Sequence, residues 1–411
     1  MRRVLITGLG CATPCGIGPE NLWANVAVGR SGIGRIQAFD PAPYASQVAG
    51  EVLDFRPEDF LARREIVAFS RYFQLGVAAA RLAWDDAGLP SPRLHSERIG
   101  AFIGSTAHCL GHVIAQARLF HEKGLSRVHP MIPVQYPGSL GSEISIALGF
   151  TGATYVVCTS CTAAADAIGL ALGQIASGML DGALVGGSDA PVYPLIHAGF
   201  DRLEALSRLN EPAERASRPF SADRNGFVLA EGAGMLMLEA EDVARERGAR
   251  IYAEIVGFGA TSDAYHHLAP APGGNEGVRA VVAALAHAGV SPDDIDYVNA
   301  HGTGTPLNDS TETAILHRVF GERARHVPVS SSKSMHGHMI GASPAVELII
   351  AVLALTHGVI PPTINLTTPD PACDLDYVTE GARSATLRTV LSTSFGFGGR
   401  NAALVARRAD A

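Results

Sequence analysis

The stretch Tyr155-Val-Val-Cys-Thr-Ser-Cys161-Thr-Ala-Ala-Ala-Asp-Ala-Ile-Gly169 decides how this chain is read. A β-branched run ends abruptly at a cysteine and an alanine-rich helix begins there, which gives the order strand, nucleophile, helix. Cys161 is expected at a helix N-terminus, where unpaired backbone N–H groups and the positive end of the helix dipole favour the thiolate. Thr162 to Ala165 are small and leave room for a substrate. Ile168, Leu172 and Ile175 fall on one helical face, so packing against a sheet would hold the sulfur still. Cys158 and Cys161 also make a Cys-x-x-Cys spacing, the pattern of a redox dithiol or half a zinc site. No second cysteine pair follows to close a metal site, and Cys158 is expected to sit in the apolar strand as a small buried hydrophobe.

Outward from this stretch the chain alternates. Val4-Leu-Ile-Thr-Gly-Leu-Gly10 reads as a buried strand running into a glycine turn. It fails as a dinucleotide fingerprint, because the third glycine is missing and Thr13-Pro14-Cys15-Gly16 cannot open the required helix. Residues 61–88 have helical periodicity, with Arg63, Arg64 and Arg71 in the first part. Ile99-Gly-Ala-Phe-Ile-Gly104 is the next strand, and residues 107–150, with His, Pro and Gly scattered through them, read as an irregular inserted lobe. Gly182-Ala-Leu-Val-Gly-Gly187 is a further strand. A weaker echo then returns: Ile251-Tyr-Ala-Glu-Ile-Val-Gly-Phe-Gly259 resembles the first strand, Tyr297-Val-Asn-Ala-His301 the strand before Ser105, and Val327-Pro-Val-Ser330 the strand before Cys161. The pattern predicts a duplicated α/β unit, residues 1–245 and 246–411, with mainly parallel sheets covered on both faces and reactive groups at the C-terminal strand ends.

In the second half His301-Gly-Thr-Gly-Thr305-Pro follows a strand directly, and Asp309 with Glu312 looks like a capping-box start for the next helix. A second imidazole stands in Ser332-Lys333-Ser-Met-His336-Gly-His338 after the following strand. Ser343-Pro344 marks the start of a helix that is apolar nearly all round and runs to Gly358. In Thr393-Ser-Phe395-Gly-Phe397-Gly-Gly-Arg400-Asn401 the glycines permit close backbone approach to a ligand, or simply a tight turn between two strands.

Composition bounds the possibilities. At 411 residues the chain exceeds a single core, which agrees with two units. A net charge of -8, with no basic repeat and no zinc-finger spacing, argues against nucleic acid as partner. Six cysteines without a regular framework suit a reducing compartment. The apolar run at the N-terminus is too short for a signal peptide, and residues 348–355 fall short of a membrane span. A cytoplasmic protein without membrane contact is expected.

Taken in order, Cys161 in Thr-Ser-Cys-Thr, His301 in Asn-Ala-His-Gly-Thr-Gly-Thr-Pro, Lys333 and His338 in Lys-Ser-Met-His-Gly-His, and the terminal Phe-Gly-Phe-Gly-Gly resemble the elongating β-ketoacyl-acyl-carrier-protein synthases, and are close also to type II polyketide ketosynthases. Ala216-Ser-Arg-Pro-Phe220, Asp223-Arg-Asn-Gly-Phe-Val-Leu-Ala-Glu-Gly232 and Pro361-Pro-Thr-Ile-Asn-Leu366 extend the resemblance over nearly the whole chain. It implies a thiolase fold, a duplicated α/β unit in α-β-α-β-α layers. It also implies decarboxylative Claisen condensation: Cys161 would carry the acyl chain as a thioester, His301 and His338 would donate hydrogen bonds to the malonyl thioester, and the N–H groups of Cys161 and Phe397 would form the oxyanion hole. Lys333, with Glu347 as ion partner, matches an orienting residue. Thr303 and Thr305 match positions that bind phosphopantetheine, and Phe395 and Ala107 would line the substrate side. Two histidines distinguish this pattern from the initiating synthases, which resemble Cys-His-Asn.

The implied partners are an acyl carrier protein, which brings its substrate on phosphopantetheine, and a second subunit, either identical or like a chain-length factor. No cofactor bound by the enzyme and no metal are implied. Because the carrier is acidic, Arg63, Arg64, Arg71, Arg202 and Arg208 are the candidate docking residues. The chain departs from the family at Val157-Cys-Thr-Ser, at Pro344 in place of a usual glycine, in residues 129–143, and at Ala107, where a bulky aliphatic residue commonly limits the acyl cavity. These departures leave fatty-acid and polyketide pathways both open, with a catalytically silent partner subunit as the remaining alternative.

Overall fold

The computed structural model describes residues 1–89, 96–136 and 138–410; Pro137 of the expected inserted lobe lies outside them. The principal strands of the first half are β1 (Val4–Thr13), β2 (Ile99–Gly104), β3 (Thr154–Val157), β4 (Gly182–Asp189) and β5 (Gly232–Ala240). Those of the second are β6 (Ala253–Ser262), β7 (Tyr297–Asn299), β8 (Val329–Ser330), β9 (Thr389–Gly396) and β10 (Arg400–Arg407). Across the sheet the order is β1-β5-β4-β2-β3 in one half and β6-β10-β9-β7-β8 in the other, so both halves follow first, fifth, fourth, second, third. The two first strands pair antiparallel through Leu5 with Glu254 and Ile6 with Ala253, which joins the halves into one hydrogen-bonded path.

Among the described residues seven longer helices complete the layers: α1 (Arg71–Asp86), α2 (Leu110–Lys123), α3 (Ser139–Leu148), α4 (Ala163–Ala176), α5 (Asn275–Ala288), α6 (Pro306–Phe320) and α7 (Ser343–His357). α1 and α3 cover the outer face of the first half, and α5 and α6 that of the second. α4 and α7 lie between the two halves and touch each other and strands of both. Their buried Ile168, Leu172, Ile175, Val346 and Ile350 belong to the largest apolar core. Residues 340–357 have the length and hydropathy of a membrane span, yet 89% of that window is buried inside the fold, as a core helix requires.

Paired glycines set how closely the helices approach. A Cβ at Gly8 or Gly10 would lie 2.2 Å from the carbonyl oxygens of Ala83 and Ala79 on α1, and one at Gly257 or Gly259 would lie 2.3 and 2.1 Å from those of Ala284 and Ala280 on α5. The expected glycine turn after β1 is therefore absent: the strand continues through both glycines to Thr13, and their missing side chains admit the helix backbone.

Three further expectations change. β2, β3 and β4 are parallel, as are β7, β8 and β9, but the fifth strand of each half runs against both its neighbours, so the sheet is mixed. In the second half the cause is local, since only residues 397–399 separate β9 from β10 and so short a turn joins antiparallel strands. The segment 61–88 is two helices, Arg63–Ala68 and α1, parted where Phe69 takes an extended conformation. The described residues of the inserted lobe include two helices, α2 and α3, where an irregular segment was expected.

Candidate active site

β3 ends at Val157, and the chain turns through Ser160, which holds a left-handed φ of 59°, a conformation costly for a residue with a Cβ. Neighbouring hydroxyls hold the turn. Thr106 Oγ1 donates to the carbonyl of Ser160 at 2.8 Å, and Thr162 Oγ1 donates to the carbonyl of Thr159 at 2.8 Å. Both threonines, Thr159 and Thr162, also bond the Asp166 carboxylate from the first turn of α4. Cys161 is thus fixed immediately before the helix and is 7% exposed. Cys158 departs from expectation: it lies one residue past β3 and is exposed rather than packed.

The thiol does not rest as the expected thiolate. Burial pushes Cys161 up to about 11, although the Lys333 charge and the N–H groups of Phe397 and of Cys161 itself, aimed at the sulfur, pull the other way. The helix-end effect acts only within the first turn and is modest, whereas removal of a charge from water is not. His338 Nε2 lies 3.1 Å from Cys161 Sγ, and its Nδ1 lies 3.0 Å from Ser343 Oγ. The two imidazole rings stand perpendicular, with centroids 5.4 Å apart. The sulfur and one nitrogen of each ring lie within 4.8 Å of one another. Burial, and then the Lys333 charge, hold His301 and His338 well below the usual imidazole range, so both are neutral at physiological pH.

His301 is held just past the end of β7. The backbone N–H groups of His301 and Gly302 donate to the two oxygens of Glu312 at 2.8 and 2.7 Å, and Thr393 Oγ1 donates to the same carboxylate at 2.7 Å. Burial pushes Glu312 up to about 7. The expected capping box is therefore not formed. Thr305 caps α6, and Asp309 and Glu312 lie inside that helix, where their oxygens meet the N–H groups of Phe220, His301, Gly302 and Gly304 instead. Lys333 Nζ donates to the carbonyl of His301 at 2.7 Å, stands 3.3 Å from His301 Nδ1 and pairs with Glu347, all in a site closed to solvent.

These groups open onto a cavity of about 410 Å³ that Thr106, Phe200, Phe227, Thr303, Thr305, Phe395, Phe397 and Arg400 help to line. Thr303 and Thr305 hydroxyls lie 3.0 Å apart. A Cβ at Gly396 would stand 3.0 Å from the backbone nitrogen of Cys161, so a side chain there would press on the nucleophile's backbone. Gly398 and Gly399 take left-handed φ angles of 81° and 68° in the turn to β10.

Some expected residues do not reach the cavity. Ala107 is buried with its N–H on the Asp189 carboxylate, and Thr106 is the loop residue that faces the cavity. Glu347 meets Lys333 rather than substrate space. Arg71 is half-buried, bound to Glu231 at 2.8 Å and stacked over Phe55, so its charge serves the fold and not a docking surface. Arg63, Arg64 and Arg202 are exposed, and Arg208 is exposed but paired with Glu204 at 2.9 Å.

Sequence reasoning missed Asp189. Its carboxylate accepts from Ser105 Oγ and from the N–H groups of Thr106, Ala107, His108 and Gly341, tying the loop after β2 to the segment that carries His338. Its signal was an acid closing the Gly-rich end of a strand. In the sequence, Ser343 beside Pro344 signals only a helix start.

Comparison with known proteins agrees with this geometry. Residues 1–244 match the model of the Beta-ketoacyl synthase, N-terminal domain, and residues 252–367 that of the Beta-ketoacyl synthase, C-terminal domain. The chain is 41% identical over 408 residues to a 3-oxoacyl-[acyl-carrier-protein] synthase 2 of Synechocystis sp., covering 99% of this chain and 98% of that protein. It is 41% identical over 411 residues to the enzyme of the same name from Staphylococcus aureus, covering 100% and 99%. Among solved structures, the ishigamide ketosynthase/chain length factor superposes with a TM-score of 0.93 at 37% identity over 99% of both chains. A beta-ketoacyl synthase from Burkholderia phymatum gives 0.92 at 34% identity over 99% of this chain and 100% of that one. With its thiolase fold, its cysteine and its two histidines in one cavity, the chain belongs to the beta-ketoacyl synthase family of condensing acyltransferases.

Proposed function

We propose that this protein extends an acyl chain by two carbons, holding it as a thioester on Cys161 and condensing it with malonyl-acyl carrier protein. The supporting observation is the convergence of the Cys161 sulfur with His301 and His338, with the N–H groups of Cys161 and Phe397 aimed at the sulfur. In loading, phosphopantetheine enters past Thr303 and Thr305. Sγ attacks the acyl carbonyl, the two N–H groups hold the oxyanion, the bond to the pantetheine sulfur breaks, and that sulfur leaves as a thiol with the proton from Cys161. Fixed donors of this kind contribute about 3 kcal/mol each to the transition state.

In condensation His301 and His338 donate to the thioester oxygen of the malonyl group while its bond to the carboxylate breaks, carbon dioxide leaves and an enolate forms. Because both rings are neutral, they stabilise the enolate by hydrogen bonding, while the buried Lys333 supplies fixed positive charge beside His301. The carbanion attacks the Cys161 thioester, a carbon–carbon bond forms, and the sulfur leaves as thiolate and is reprotonated. All of these groups belong to the chain, and the reaction draws on no cofactor beyond the carrier's arm.

We assign carrier docking to Arg63, Arg64, Arg202 and Arg208. Residues 1–245 and 246–411 are the two units of an internal duplication, a reading supported by their shared strand order. β3 is an edge strand with Tyr155 54% exposed, and Ile146 on α3 is 71% exposed, which supports a second subunit there, identical or like a chain-length factor. The relatives include both 3-oxoacyl-[acyl-carrier-protein] synthases and a ketosynthase/chain length factor. All six cysteines are free thiols, which supports a cytoplasmic location. A silent partner subunit is disfavoured by the intact set of Cys161, His301 and His338. Intact mass after incubation with acyl-carrier substrate tests the reading: wild type gains the acyl mass and Cys161→Ala does not. Absence of an adduct on wild type, or its survival in the variant, overturns it.

A further inference from the structure

The two catalytic imidazoles are anchored by chemically different partners. His301 Nδ1 faces the Lys333 ammonium, which has hydrogens to give and no lone pair to offer. Nδ1 of His301 is therefore an acceptor, and its proton sits on Nε2, the nitrogen that serves as a donor. His338 Nδ1 instead faces the hydroxyl of Ser343, which accepts a hydrogen bond from the N–H of Met339 at 2.9 Å and is able to donate or accept toward the ring. One histidine is locked in a single tautomer and the other is not.

We propose that Ser343 is a positioning residue that lets His338 change tautomer between the two half-reactions. With Nδ1–H donated to Ser343, the free Nε2 accepts the proton of the Cys161 thiol 3.1 Å away as sulfur attacks the incoming thioester. The same proton then passes to the departing pantetheine sulfur, so loading conserves protons. With the Ser343 hydroxyl turned to donate into Nδ1, the ring carries its proton on Nε2 and serves as the second hydrogen-bond donor in condensation. Between these states the ring gives up one proton and takes another from water entering the cavity. A thiol that rests protonated needs such a base, and no other side-chain nitrogen is recorded within hydrogen-bond distance of Cys161 Sγ among the described residues. The inference rests on the condensation reading above.

The test separates the half-reactions. Removing the hydroxyl in Ser343→Ala leaves the Met339 N–H, a donor, as the polar group on that side of the ring, which favours the Nε2–H tautomer. Acylation of Cys161 should then fall about tenfold or more with KM unchanged, as for loss of a general base, while decarboxylation of malonyl-carrier, measured in a Cys161→Ala background, stays within about threefold. Ser343→Thr should restore acylation. In wild type, ¹⁵N spectra of labelled histidine should show His301 in one tautomer and His338 averaged between two. Equal loss in both half-reactions, unchanged acylation in Ser343→Ala, or a single tautomer for His338 in wild type overturns the proposal. A wild type that neither acylates nor decarboxylates instead overturns the condensation reading itself.

Discussion

At corresponding places in the two halves a strand gives way to a central helix, and the two junctions are built differently. Between β3 and α4 lie residues 158–162, a turn so tight that Ser160 takes a left-handed φ and Cys161 is pinned at the helix start. Between β8 and α7 lie residues 331–342, long enough to set Lys333 beside His301 and to carry His338 across to the sulfur of the other half. Duplication thus supplied one scaffold twice. The short junction holds a nucleophile still, and the long one brings groups with protons to donate. A substrate thioester placed between them meets a sulfur from one half and hydrogen-bond donors from the other.

Breaking the long junction at its buried charge should have the largest effect on the fold. Lys333→Ala leaves Glu347 uncompensated in a fully closed site and should cost about 3–5 kcal/mol, read as a lower urea midpoint. A loss below 1 kcal/mol would mean that the pair is not what holds this segment. Removing a donor while keeping the fold sharpens the division of labour. His301→Ala should lower condensation by about a hundredfold to a thousandfold while Cys161 acylation changes far less. Parallel losses in both half-reactions would show that the nucleophile of the first half and the donors of the second do not divide the chemistry.

The titratable groups of the long junction give it a distinctive response to acid. His336 and His338 of that junction, and His301 packed beside them, are held below the usual 6.5, His336 down to about 3, so the unfolded chain takes up protons that the folded chain refuses. Their contribution to stability is present above pH 6.5 and is lost as pH falls below it. Glu312, raised to about 7, and Asp189, raised to about 6, act in the opposite sense: the folded chain keeps protons that the unfolded chain has released, and stability falls as pH rises through their range. Glu312→Gln should therefore steepen the loss of stability between pH 7 and 5, by up to about 1.4 kcal/mol per pH unit. Urea titrations of wild type and variant at both pH values check the sign, and equal slopes would count against Glu312 as the offsetting group. The smallest effect is expected at the surface. Arg64→Glu with Arg202→Glu should raise the carrier KM several-fold at low salt and flatten its salt dependence without changing kcat, while an unchanged KM moves docking elsewhere.

Much of this site was legible because its residues stand beside local signals. Cys161 follows a β-branched run, His301 follows a strand and precedes glycines, and Phe397 sits among glycines that the turn requires. What escaped notice depends on neighbours distant in sequence. The protonated state of the thiol follows from burial under Phe227, Ile340 and Leu229, which no reading of α4 alone reveals. Asp189 and Glu312 matter for the N–H groups they collect from other segments, and spacing does not record those partners. Ala107 sat in a recognisable loop, but the direction in which that loop turns was fixed by Asp189. The antiparallel direction of the fifth strands escapes the sequence because β5 is buried along its whole length and lacks the alternation that marks a strand with one wet face.

The neutral, enclosed thiol bears on how such an enzyme could be targeted selectively. General alkylating agents react with thiolate already present, and a sulfur held near 11 and 7% exposed offers them little of it. A compound that brings a carbonyl oxygen to the N–H groups of Cys161 and Phe397 meets the sulfur at the moment His338 takes its proton. A mild electrophile shaped like a thioester should thus label Cys161 ahead of more acidic thiols elsewhere in a cell, with selectivity arising from carbonyl placement rather than from the reactivity of the warhead.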